Sequence, residues 1–143
     1  MIQIIDYKHA EPYNNYDLNN MKIISTSPGI SLLEKPMKLK ILPNASRNRV
    51  QITATVGLRG MVGISQIVFK FKNNGESLYK TIVAVESPNP VFDANYFFTF
   101  QHVEMDMKPG DHMLDLKAAN INEGCVCNLN GPISFTALAM ALQ

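Results

Sequence analysis

Three small groups of residues in this 143-residue chain have types and spacings that could do chemistry. The first is "VGLRGMVGI", residues 56–64, which sets Gly57, Gly60 and Gly63 three apart. That spacing suggests collagen, a phosphate-cradling loop, or a bend between strands. Collagen needs glycine at every third residue over a long, proline-rich tract, because nothing larger fits the triple-helix axis. Three glycines with no proline between them do not meet that need. A phosphate loop places its glycines between a strand and a helix, so that helical amides meet the anion. Here strand-like sequence stands on both sides, and the glycines are assigned to a turn or bulge between two strands.

The second group is histidine and carboxylate. In an extended segment His102 and Glu104 share a face, with Asp106 beyond, and Asp111, His112 and Asp115 follow the "KPG" turn. His102, Glu104 and His112 would make a metal site if they converged. Ordinary polar residues on a solvated strand face account for them better, and no metal or organic cofactor is expected. The third group is Cys125 and Cys127, as "CVC". Two apart in a strand they point the same way, and a bond between such near neighbours is strained. They are read as reduced thiols dispensable for the fold, the sharper alternative being inter-subunit thiols in an oxidising setting. A lone Cys-x-Cys falls short of the four ligands zinc needs. No serine sits in a nucleophile elbow, and the chain has no tryptophan for sugar stacking. No catalytic residues are assigned and no enzymatic activity is expected.

Strands must position all of these groups. With 46% hydrophobic and 17% charged residues the chain can bury a core as one domain, and its net charge of +1 creates no field for nucleic acid. No apolar run is long enough to span a bilayer as a helix, and "MIQIIDYKHA" lacks the pattern of a secretory signal. No membrane or nucleic-acid partner is expected. In "VQITATVGL", Val50, Ile52, Ala54, Val56 and Leu58 alternate with Gln51, Thr53 and Thr55. "ISQIVFKFK" and "SLYKTIVAV" follow, joined through Asn74-Gly75, a pair suited to the positive φ of a type I′ hairpin turn. "NYFFTFQHVEM" is extended and aromatic, Pro109-Gly110 suits the centre of a type II turn, and "DHMLDLKAA" alternates again. "PISFTALAMAL" is apolar on both faces, as a covered or central strand is. With "MKIIST", "ISLLE" and "MKLKIL" this makes about eight to ten antiparallel strands and no helix, the pattern of a β-sandwich or jelly roll.

The amino terminus differs. "MIQIIDY" is apolar and β-favouring, while "KHAEPYNNYDLNN" is polar and asparagine-rich, the composition of a tether. Residues 1–20 are therefore expected to form an arm and tether, and residues 21–143 the domain. Thirteen extended tether residues reach roughly 40 Å, so Ile2, Ile4, Ile5 and Tyr7 can join a sheet edge of another subunit by strand addition. Tyr13 and Tyr16 are expected to add subunit contacts.

Across residues 48–141, "RVQITATVGLRGMVGISQIVFKF", "VESPNPVFDANYFFTF", "KPGDHMLDLKA" and "GPISFTALAM" resemble successive blocks of the exosporium protein C-like family of endospore-forming Gram-positive bacteria. The resemblance implies a jelly-roll domain similar to tumour-necrosis-factor-like ones. It also implies a place on the spore surface, in the exosporium or an appendage, beside other surface proteins including collagen-like ones. The resulting expectation is a non-enzymatic structural protein, a homo-oligomer or fibre built through the arm. The alternative is a trimeric ligand-binding or adhesive jelly-roll module.

Overall fold

The structure, a computed structural model, describes residues 1–13, 22–26, 28–87 and 95–142. Ten strands run in chain order: β1 (Ile2–Tyr13), β2 (Lys22–Ile23), β3 (Ile30–Ser31), β4 (Met37–Ile41), β5 (Asn48–Val62), β6 (Ile64–Asn73), β7 (Glu76–Glu86), β8 (Asn95–Met105), β9 (Gly110–Asn120) and β10 (Val126–Leu142). They form two antiparallel sheets. Sheet A has the order β1-β10-β5-β8, with β2 on β10; sheet B has the order β3-β9-β6-β7, with β4 also on β9. The chain crosses between sheets after β2, β4, β5, β7, β8 and β9, so most sheet neighbours are distant in sequence. Two five-stranded antiparallel sheets connected in this way are a jelly roll.

The alternation in the sequence decides which side of each strand faces in. Val50, Ile52, Ala54, Val56 and Leu58 of β5 are fully buried, as are Ile67 and Phe69 of β6 and Leu114 and Leu116 of β9. Ile133, Phe135, Ala137 and Ala139 of β10 extend the core beside β5 in sheet A, facing β6 and β9 of sheet B. Phe71 stands at its centre, 5.3 Å from the Phe100 ring and 5.7 Å from Phe135, centroid to centroid. Each such side chain contributes about 1.5–3 kcal/mol by burial. The β6–β7 hairpin turns at Asn74 (φ 50°) and Gly75 (φ 84°), both in the left-handed region that the Asn-Gly pair predicts. Gly110 also has a positive φ, 123°, as the first residue of β9, where it pairs with Ile41.

Two expectations need correction. Of the three spaced glycines only Gly63 (φ 65°) lies in the β5–β6 turn; Gly57 and Gly60 are inside β5. A side chain on Gly57 would collide with the Asn130 carbonyl, and one on Gly60 with the Glu86 carbonyl. Their role there is close approach of backbones. The amino-terminal segment is also not a free arm in this chain. Residues 8–13, assigned to the tether, continue the strand begun at Ile2, and all of β1 pairs antiparallel with β10 of the same chain, from Ile2↔Leu142 to Tyr13↔Ile133. Ile5 and Ala10 pack against the core, so β1 belongs to the sandwich, not to a separate arm ending at residue 20. The remainder of that tether, residues 14–20 with Tyr16, lies outside the described residues.

Candidate assembly surface

Register places one row of side chains per residue pair across the outer face of sheet A. On β10 the outward residues are Ser134, Thr136, Leu138, Met140 and Leu142; on β5 they are Arg49, Gln51, Thr53 and Thr55. On β8 they are Thr99, Gln101, Val103 and Met105. β1 adds Ile2, Ile4, Tyr7 and His9 beside Leu142, Met140, Leu138 and Thr136. Ile2, Ile4 and Tyr7 are 66%, 65% and 56% exposed, and Val103 and Met105 are exposed as well. One end of the face therefore carries apolar side chains from β1, β10 and β8, with Arg49 between Met140 and Met105 and Gln51 between Leu138 and Val103; the other is a band of hydroxyls and amides. Arg49 is the one charged residue among the outward positions named on β5, β8 and β10.

The polar band is satisfied within the face. Gln51 Nε2 donates to Gln101 Oε1 at 3.1 Å, and the hydroxyls of Thr55 and Thr99 are 2.9 Å apart. Groups already bonded laterally lose little when water is removed from above them. Ten residues of β10 by four strands cover about 33 by 19 Å, on the order of 600 Å². That approaches the ~800 Å² each partner contributes to a stable interface.

The predicted arm residues divide between the two sides of the sheet. Ile2, Ile4 and Tyr7 project outward; Ile5 turns inward beyond a register shift between Ile4 and Asp6. Asp6 anchors the strand on the other sheet, its Oδ2 accepting from Lys40 N at 2.9 Å. Beside this contact lies a cleft of about 800 Å³ between β1 and β4, lined by residues of both signs including Lys8, Glu11, Glu34 and Lys38.

The histidines do not converge. His102 lies on β8, 2.7 Å from Glu104 and stacked 5.2 Å from Tyr79. His112 lies on β9 in the other sheet, Nε2 bonded to the Lys108 carbonyl at 2.6 Å and Nδ1 to Asn73 at 2.9 Å. Among the described residues no three His, Cys, Asp or Glu side chains form a metal-holding group. The cysteines also separate. Cys127 is fully buried in β10, where loss of water pushes its thiol up to about 12, whereas Cys125 is half-buried just before the strand. Of the two candidate inter-subunit thiols, burial removes Cys127 and leaves Cys125. Sequence reading also missed the charge-poor character of the face, whose visible signal was the lack of charge from residue 132 to residue 142.

No protein-family model and no curated protein matches this chain. Among solved structures it is similar to the Eiger TNF of S. frugiperda, with 14% identity, 98% of this chain and 93% of that chain covered, and a TM-score of 0.51. It is also similar to VP2 of infectious bursal disease virus, with 12% identity over 95% of this chain and 37% of that one and a TM-score of 0.48. A third is a carbohydrate-binding module of Cellvibrio mixtus lichenase 5A, with 12% identity, 99% of both chains covered and a TM-score of 0.39. At these identities the likeness concerns the fold alone.

Proposed function

We propose that this protein is a non-enzymatic structural subunit of the bacterial endospore surface, which self-assembles through sheet A and its amino-terminal strand. The observation that carries self-assembly is the outer face of sheet A, which has Arg49 as the one charged residue among its named β5, β8 and β10 positions and to which β1 adds Ile2, Ile4 and Tyr7. Interface centres are depleted of charge, and a face so sparse in charge meets a second copy of itself with little like-charge repulsion. The area suits one partner of the same kind. Strand addition follows from the same geometry: β1 forms a long edge pairing with β10, and the identical pairing made with a neighbour's β10 would exchange the strand between copies. The spore-surface location rests on the sequence resemblance over residues 48–141.

A second reading, a trimeric ligand-binding or adhesive module, is favoured by the cleft between β1 and β4. Negative-stain imaging separates the two. Filaments or sheets support the structural subunit, and discrete three-fold particles support the module. Ile4→Asp with Tyr7→Asp charges the face while leaving the inward Ile5 in place, and is expected to leave a folded chain that no longer assembles. Undiminished assembly of that variant would exclude β1 from the contact.

A further inference from the structure

The outer face of sheet B has the opposite character. Lys80 on β7, Lys70 on β6 and Lys117 on β9 are directly opposite one another, because Lys70 pairs with both Lys80 and Lys117. Lys72 follows on the same side of β6. Like charges side by side on neighbouring strands destabilise a sheet, since their β-carbons are only about 5 Å apart. Among the described residues no ion pair relieves any of the four. Asp115, opposite Lys72, forms no ion pair with the row; its Oδ1 accepts from Ser31 Oγ at 2.6 Å and Leu116 N at 2.8 Å. In a chain of net charge +1, this is a concentrated positive row without an internal partner.

The next row along the sheet is apolar. Val68 pairs with Ile82 on one side and Ala119 on the other, and Ile82 is 51% exposed. The four lysines with Val68 and Ala119 line a shallow depression of about 300 Å³ that Ile121 and Pro28 complete. Lys70, Lys72 and Lys117 are half-buried, as lysines are when their methylene stems cover apolar surface and the charged head stays in water.

We propose that this depression binds an acidic glycan, with oxyanion groups on the Lys80–Lys70–Lys117 row and the carbon skeleton on Val68, Ala119 and Ile121. Lysine suits this task because its ammonium is a point charge that accepts sulfate, phosphate or carboxylate without the planar geometry an arginine fork demands. Strand spacing sets the three ammoniums across about 10 Å, matching several anionic groups on one chain rather than a single ion. A single-stranded nucleic acid fits less well, because no aromatic side chain lines the depression to stack a base.

The test is calorimetric titration of the full-length chain at low salt with a sulfated hexasaccharide, and in parallel with inorganic tripolyphosphate and a single-stranded oligonucleotide. Lys70→Gln with Lys117→Gln should weaken hexasaccharide binding at least about tenfold. Lys22→Gln with Lys35→Gln, which removes equal charge from exposed positions elsewhere, should change it less than about twofold. Lys80→Gln, a single change at the exposed end of the row, should act in the same direction as the double variant even if that variant folds poorly. Absence of hexasaccharide binding, or equal losses in the row and control variants, would overturn the proposal. Tripolyphosphate or the oligonucleotide binding as tightly as the hexasaccharide would overturn the glycan assignment.

Discussion

Gly57 lies directly beneath the Asn130 carbonyl, where β10 bulges away from β5. Between Leu129↔Leu58 and Ile133↔Val56 the partner strand carries extra residues, and Gly131 takes φ 98° to accommodate them. The absent side chain at position 57 is what admits the bulge. Gly57→Ala is therefore expected to destabilise the domain by about 1–3 kcal/mol or more, because the clash is with backbone in a packed sheet. Gly75→Ala, with open space around it, should cost only about 1 kcal/mol, for its φ of 84°. Urea denaturation of the two variants should rank them in that order.

Asn48 should be among the most sensitive polar positions. Fully buried at the start of β5, it donates from Nδ2 to the carbonyls of Ala45 (2.7 Å) and Met107 (2.8 Å), and its Oδ1 accepts from Met107 N at 3.0 Å. It thus holds the 42–48 loop and the turn after β8 together. Asn48→Ala leaves those backbone groups buried without partners, a loss on the order of 2–4 kcal/mol. Thermal unfolding of the variant checks this.

The two cysteines should differ in reactivity. Cys125 is expected to react with a thiol reagent in the native state and Cys127 only on unfolding. The pH dependence has a definite sign. Cys127 is raised from 9.0 to about 12, so it stays protonated in the folded chain while the unfolded chain ionises above pH 9. Stability is then lost as pH rises from about 9 toward 12, by roughly 1.4 kcal/mol per unit. Cys127→Ala should flatten that slope in denaturation measured between pH 8 and 10.5.

Much of this fold was legible in the sequence because period-two patterning reports directly on facing. β5, β6 and β9 bury the residues their alternation indicates, and Asn74-Gly75 turns where its positive φ requires. The role of β1 was not legible. Whether "MIQIIDYKHAEPY" pairs with its own β10 is decided by Leu142 and its neighbours, more than a hundred residues away. Its polar second half read as linker because an edge strand can carry charge, as Lys8 and Glu11 do. The glycine spacing was visible, but the carbonyls of Asn130 and Glu86 that demand it come from other strands. The lysine row was hidden for the same reason: Lys70, Lys80 and Lys117 are unremarkable separately and become a feature only through register.

A charge placed among the apolar side chains of this outer face of sheet A should abolish self-association without unfolding the domain. Leu138→Asp replaces a half-buried outward side chain on β10, opposite Gln51 on β5 and Tyr7 on β1, and its inward neighbours Ala137 and Ala139 remain in the core. Circular dichroism should show the β spectrum retained.

Sedimentation velocity of the full-length chain over a hundredfold concentration range, beside Leu138→Asp, tests the central claim most directly. Assembly through the outer face of sheet A predicts concentration-dependent species well above the 16.0 kDa monomer for the parent and a monomer for the variant. A parent chain that stays monomeric throughout, or a variant that assembles as the parent does, would contradict it.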